Sequence, residues 1–341
     1  MLASVWRHLS IRRRKQFLLI LLLMILSSIT EVVSIGAVIP FLAVISAPEL
    51  VFYHPITQSF ISIAEIRFGF PAPSEPRQII FPVSLLFIFA VILSSSIRLA
   101  LLYVSTRVAH LTGSDFSIKT YCHTLYQDYS IHLTRNSSEV VNGIIVKTGA
   151  AVGIIQGFLT LFSASILVVG ILSALLVIDT KIAIIASASF AAFYLIVAFL
   201  TKKQIKKNGQ TIADNSTLMV KSLQEGLGGI RDILIDSSQK FYTDLYRNAD
   251  LPLRYAISNN IFMQQSPRHI MEAIGMSVIA IIAFIMIQDE IGSKTAIPIL
   301  GALALGAQRL LPSLQQSFAA YATIKGSKAS FQDLIGLLEQ P

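Results

Sequence analysis

The sequence predicts an all-α integral membrane protein with six long spanning helices. Three observations carry that expectation. The 341 residues are 54% hydrophobic and only 13% charged, against roughly 25% charged residues in a soluble domain. Apolar runs recur that approach the roughly 20 residues needed to cross a bilayer. Lysine and arginine are concentrated in alternate connecting segments, as an oriented polytopic protein requires. This composition excludes an ordinary soluble enzyme and excludes disorder. A single cysteine, Cys122, excludes a disulfide framework and a Cys-x-x-Cys centre. The net charge of +8 reads first as a topology signal.

The spans follow in chain order. Residues 1–15 form a basic segment containing Arg12, Arg13, Arg14 and Lys15, followed by an apolar run without a cleavage site. One long helix is expected over 16–46. The second span covers 79–108. The third, 154–178, carries no charge. Asp179-Thr180-Lys181 reads as a tight turn into the fourth span, 182–200. The fifth covers 270–287 and the sixth 294–323. With the N-terminus inside, the cytoplasmic segments hold Arg7, the 12–15 block, Arg107, Lys119, Arg135, Lys147, the basic residues from Lys202 to Arg268, Arg309, Lys325 and Lys328. The outer segments hold Arg67, Arg77, Lys181 and Lys294. Both termini are therefore expected in the cytoplasm.

The connections are unequal. The third and fourth spans are joined by the turn at 179–181, and the fifth and sixth by a short acidic loop (Asp289-Glu290). The inner segments 108–154 and 200–270 are long and contain helical apolar spacing. Val108, Leu111, Phe116, Tyr121, Leu125 and Tyr129 illustrate it. Spans two to five are expected to continue as helices on the order of 25 Å beyond the membrane. Turn-backs are expected at 132–138 and 228–236. Asn136, Ser137 and Ser138 are N-cap candidates, with Glu139 in the following first turn. Gly226, Gly228 and Gly229 break the second helix. An outer helix at 55–68 starts near Pro55. It places Ile56, Phe60, Ile61, Ile63, Ala64 and Phe68 on a mostly apolar face, suited to the outer bilayer surface or a cavity mouth.

Glu225-Gly226-Leu227-Gly228-Gly229-Ile230-Arg231-Asp232-Ile233 resembles the Glu-x-Leu-x-Gly-Ile-(Arg/Lys)-x-Ile motif of exporter-type (type IV) ABC transporter transmembrane domains. The segment Ser137–Ile144 replaces that family's Gly-Glu-Ile/Leu pattern, with Ser138 in the place of Gly. The long first outer loop, Glu31 followed by "SIGAVIPFLAVIS", and "GAQRLLPSLQQSFAAYATIKGSKASFQDL" resemble the lipid-linked oligosaccharide flippase subfamily. The resemblance covers essentially the whole chain. It implies the type 1 transmembrane-domain fold over 16–325, with helices four and five swapped between the halves of a homodimer. It implies that 326–341 lead toward a nucleotide-binding domain, fused or separate. It also implies that the turn-backs transmit ATP-driven closure, through His132, Arg135, Glu139, Glu225, Gly229, Ile230, Arg231 and Asp232.

The sequence contains no Gly-x-x-x-x-Gly-Lys-(Ser/Thr) loop to cradle nucleotide phosphates. The chain is therefore expected to be no enzyme on its own and to hold no cofactor. ATP and Mg would bind the partner domain. Arg98, Arg268 and Arg309 fall near one inner-leaflet level. Arginine binds phosphate oxygens bidentately and stays charged, so the three suit a pyrophosphate headgroup; snorkelling to lipid phosphates is the alternative. Glu31 lies roughly 22 Å into span one and suits an arginine pair, a proton carrier or a sugar contact. Glu272, four residues after Arg268, suits an i,i+4 pair.

The six histidines lack metal-site spacing, and no catalytic set is apparent. Lys202, Lys203, Lys206 and Lys207 read as a solvated juxtamembrane face or an anionic-lipid contact rather than a nucleic-acid patch. The expected protein is a multi-pass permease of the bacterial plasma membrane. Its expected cargo is a lipid-linked oligosaccharide or similar phosphate-bearing amphiphile. A hydrophobic drug or peptide exporter, or a scaffold without ATPase, are the alternatives.

Overall fold

The computed structural model describes residues 2–46, 48–68, 75–178, 180–288 and 293–340. Helix α1 (Leu2–His8) precedes α2 (Ile11–Gly36). Ser10 caps α2 by accepting a hydrogen bond from the Arg13 amide at 3.3 Å. The single helix expected over 16–46 is instead interrupted: α2 ends at Gly36 and α3 spans Val38–Ser46. Pro40 explains the break, because its ring clashes with the carbonyl four residues earlier, that of Gly36. The Ala37 amide donates a hydrogen bond to the Val33 carbonyl and the Phe41 amide to the Ala37 carbonyl, which keeps the chain on course, so the interruption is a kink. Helices α4 (Pro48–Phe52) and α5 (Pro55–Phe68) follow, and α5 has the bounds expected of the outer helix. Most side chains of its expected apolar face lie outside the described residues.

A short 3₁₀ turn (Pro76–Ile79) opens α6 (Ile80–Leu125). Pro82 sits in the first turn of α6, where its missing amide costs no hydrogen bond. No proline follows before Leu125, and the helix runs unbroken well past the expected end of span two. Two short helices form the first corner, α7 (Tyr129–Thr134) and α8 (Ser137–Asn142). A π turn (Gly143–Lys147) leads into α9 (Thr148–Ile178). Asp179, in the expected tight turn, lies outside the described residues, and α10 (Thr180–Gly228) begins directly after it. The second corner is α11 (Ile230–Ile235). Helix α12 (Gln239–Gln288) accommodates Pro252 and Pro267, and α13 (Ser293–Gly326) follows.

The last described helix, α14 (Lys328–Leu338), lies within the segment 326–341 expected to lead toward a nucleotide-binding domain. Its buried Phe331, Leu334 and Leu338 pack with Val5 and Leu9 beside α1, with Ala109 and Phe116 of α6, and with Ala151, Ile154 and Ile155 of α9. The basic N-terminal segment is likewise docked. Arg13 is buried and bonds both carboxylate oxygens of Asp115, at 2.7 and 3.2 Å. Lys147 pairs with Asp333 at 2.6 Å and fixes α14 to the π turn.

Among the described residues every element is helical. Among the described residues three stretches are long and apolar enough to cross a membrane: Ile11–Ser34, Pro76–Leu125 and Ser137–Ser173. Leu18, Leu22, Phe81, Leu85, Phe89, Leu99 and Leu102 are exposed on α2 and α6, which suits a hydrocarbon surround. These are the marks of a membrane-embedded protein.

Helices α2, α6 and α9 pack on one another, α13 lies along α9, and α10 pairs with α12. Close approach of α9 and α13 requires Gly157. A Cβ there would stand 2.9 Å from Ile324 and 3.2 Å from the Ala320 carbonyl. Gly157→Val is expected to destabilise the bundle by about 1–3 kcal/mol through overpacking, read as a lower thermal midpoint in detergent. Gly209 of α10 similarly faces the Gly326 backbone, with which a Cβ would collide. Beside it, the Asn208 amide donates to the buried Asn260 at 2.9 Å and accepts from Gln204 at 2.9 Å. Tyr194 of α10 and Met271 of α12 share a second cluster with Phe318. The pairings 194 with 271 and 208 with 260 make α10 and α12 antiparallel.

Candidate functional site

The charges expected at membrane depth form two separate pairs. Glu31 of α2 is buried, 5% exposed. Its Oε1 lies 3.6 Å from Nη1 of Arg98 on α6, and its Oε2 accepts a hydrogen bond from Ser94 Oγ at 3.2 Å. Ser94 and Arg98 are one turn apart, so α6 presents both to the same carboxylate. The Arg98 side chain is half exposed, leaving most of its donors free to meet an anion. The arginine pair expected for Glu31 is formed.

The second pair is local. Arg268 Nε donates to Glu272 Oε1 at 2.7 Å, one turn on, as its spacing predicts. His269 Nδ1 lies 3.8 Å from the other carboxylate oxygen. Arg268 is also half exposed. Tyr194 packs one turn of α12 away, beside Met271. The structure therefore holds Arg98 and Arg268 each beside a different carboxylate. The Arg309 side chain lies outside the described residues.

The two corners are built differently. At the first, Asn136 is the N-cap of α8. Its Oδ1 accepts from the Ser138 amide at 3.0 Å and from Ser138 Oγ at 2.7 Å. Glu139 occupies the N3 position, where a negative charge favours the helix N-terminus. His132 and Glu139 are exposed. Arg135 turns back to the chain end, donating to Gln340 Oε1 at 2.7 Å, and Gln127 donates to the same oxygen at 2.8 Å. Tyr126, Tyr129 and Leu133 are exposed on this corner.

At the second corner, Gly229 stands outside helical geometry and opens α11. Ile233 is buried and anchors the segment, while Leu227, Ile230, Leu234 and Ile235 are exposed. Arg231 and Asp232 are exposed beside them, and Glu225 pairs with Lys221 at 3.8 Å. Ser237 closes the turn with φ 53°, a left-handed conformation that a non-glycine residue adopts at a cost of roughly 1–2 kcal/mol. Ser237→Gly is expected to stabilise the chain by about 1 kcal/mol, measured as a raised thermal midpoint.

The corner residues named from sequence thus lie on two exposed turn-backs, one at the end of α6 and one between α10 and α12. Sequence reasoning missed Ser94, the Arg13–Asp115 and Lys147–Asp333 pairs, and the docking of α14. All depend on contacts between distant segments, for which periodicity carries no signal. Fold and site together define a membrane-embedded helical protein with an ion pair between two of its apolar helices and two exposed apolar corners. No protein-family model matches the chain, and no curated protein matches it.

Proposed function

We propose that this chain is the membrane-spanning permease of an ATP-driven exporter or flippase with the type IV ABC architecture. Six spans, at 16–46, 79–108, 154–178, 182–200, 270–287 and 294–323, form a domain over 16–325 that works as a dimer with helices four and five exchanged. Both termini face the cytoplasm of a bacterial cell. The observation that carries the reading is helix length. Helices α6, α10 and α12 hold 46, 49 and 50 residues, or about 70 Å each, against a hydrocarbon core of about 30 Å. Helices that overrun the bilayer this far and turn back at exposed apolar corners suit force transmission from a cytoplasmic motor.

The motor is a nucleotide-binding domain that carries ATP and Mg, fused to this chain or separate. It docks on His132, Arg135 and Glu139 at one corner and on Glu225, Gly229, Ile230, Arg231 and Asp232 at the other. The cargo is an amphiphile with a phosphate-bearing head, such as a lipid-linked oligosaccharide. Arg98, Arg268 and Arg309 hold the head while the lipid tail stays in the bilayer. Half-exposed guanidiniums at Arg98 and Arg268, each anchored from one side by a carboxylate, support this reading. Each keeps donors free for a phosphate.

The test is ATPase activity of the reconstituted assembly with and without a polyprenyl-pyrophosphate oligosaccharide. Arg98→Gln, Arg268→Gln and Arg309→Gln are each expected to reduce cargo stimulation by at least tenfold, with basal hydrolysis retained. Unchanged stimulation in all three would point to a neutral drug or peptide as the cargo.

A further inference from the structure

One exposed face of α10 carries a pattern that transport leaves unused. Leu195, Phe199, Lys202 and Lys206 form one row along the helix. Ile196, Leu200, Lys203 and Lys207 form a second row with the same spacing. Eleven residues complete about three turns, so Lys206 stands within about 20° of Leu195, and Lys207 likewise of Ile196. All four apolar side chains are exposed, from 58% at Ile196 to 79% at Phe199. All four lysines are exposed as well. The opposite side of the helix is packed: Tyr194, Ile205 and Asn208 are buried against the bundle.

The charge on this face is uncompensated. No carboxylate occurs in α10 before Asp214. Among the described residues none of the four lysines forms an ion pair. Arg13, Lys147, Arg254 and Arg268 each have a carboxylate partner. Leaving four unpaired ammonium groups on one surface costs mutual repulsion, which an external anion relieves. The change from apolar to basic between Leu200 and Lys202 matches the change from acyl chain to phosphate across a bilayer boundary. Long lysine stems reach that level readily.

We infer that this face is a binding site for an anionic glycerophospholipid. Leu195, Ile196, Phe199 and Leu200 line the acyl chains, and Lys202, Lys203, Lys206 and Lys207 hold the phosphate-bearing head. Each row contributes one i,i+4 lysine pair, close enough to share a phosphate. The inference rests on α10 crossing the bilayer as proposed above and on this face staying outside the contact between the two protomers, and it is independent of the cargo.

The test uses the full chain purified in mild detergent. Lipid binding is read by native mass spectrometry and by thermal midpoint, with dioleoylphosphatidylglycerol and dioleoylphosphatidylcholine as probes. Wild type is expected to retain the phosphatidylglycerol more tightly and to be stabilised by it more. The Lys202→Gln, Lys203→Gln, Lys206→Gln, Lys207→Gln variant is expected to lose that preference, by roughly fivefold in affinity per lysine. Arginine at the same four positions is expected to keep it. If the glutamine variant does not fold, the two single-row variants, K202Q/K206Q and K203Q/K207Q, read the same loss in smaller steps. Equal retention of both lipids by wild type overturns the inference. So does a preference that survives the glutamine changes, or an acidic protein held on these lysines in place of lipid. A chain that leaves the membrane in an alkaline carbonate wash contradicts the membrane reading itself. A chain that stays and shows no lipid preference contradicts the lipid site alone.

Discussion

Aspartate at both Ile230 and Leu234 is expected to uncouple the proposed permease from its proposed motor and leave the helical bundle intact. Both side chains are exposed on α11, at 47% and 59%, so a charge there costs the isolated chain little. Against a docked partner the same positions become a buried apolar contact. A carboxylate placed in such a contact is desolvated without a counter-charge. Interface positions of this kind cost upward of about 2 kcal/mol when lost, and two together exceed a hundredfold in association if they act independently. Cargo-stimulated ATPase activity should fall below a tenth of wild type. The circular-dichroism signal and thermal midpoint should stay within error. The contrasting change is Ile233→Asp. Ile233 is buried, and a charge there should lower the thermal midpoint as well as the activity. If the exposed pair is replaced with no effect on activity, α11 is not a coupling element.

Arg98→Gln is expected to produce the largest effect on stability. Glu31 is buried, and the arginine is its ion-pair partner at 3.6 Å. Removing one partner of a buried pair typically costs 3–5 kcal/mol, because the other charge loses a counter-charge. The half-exposed arginine is screened by its surroundings, which places this pair toward the low end, at about 2–3 kcal/mol. The Ser94 hydrogen bond to the same carboxylate remains and softens the loss. Glu31→Gln alone should cost less, since its amide still accepts from Ser94 and leaves an arginine that reaches polar surroundings. The double change Glu31→Gln with Arg98→Gln should recover part of the loss, a coupling of more than about 0.5 kcal/mol being the signature of neighbours in contact. Chemical denaturation in mixed micelles measures all three. Strictly additive values would show that the two side chains do not interact.

Much of the architecture was legible because it is local. The proline-free run from Arg107 to Ile131 foretold the long continuation of α6. Asn136 and Glu139 foretold the start of α8, and Gly229 the start of α11. Pro55 and the acidic i,i+4 partner of Arg268 were equally readable. The kink at Ala37 was also written in the sequence, in Pro40, but the strong apolar run around it drew the reading toward one helix. Other features were beyond reach because they depend on tertiary packing. Arg13 and Asp115 are separated by 102 residues, and neither position announces the other. Ser94 resembles the many serines of a membrane helix until Glu31 is set beside it. The docking of Phe331 and Leu334 against α1, α6 and α9 likewise has no local signal.

A separate or fused ATPase is proposed to drive this membrane domain. The most direct measurement is purification of the tagged polypeptide from its native membrane in mild detergent, with intact-mass and peptide identification of everything retained. The expected result is a membrane-extracted assembly containing a nucleotide-binding domain, either within a longer form of this chain or as a second polypeptide in fixed stoichiometry. Recovery of the 341-residue chain alone, with no ATPase at any stoichiometry, would contradict active transport and leave a membrane scaffold as the reading.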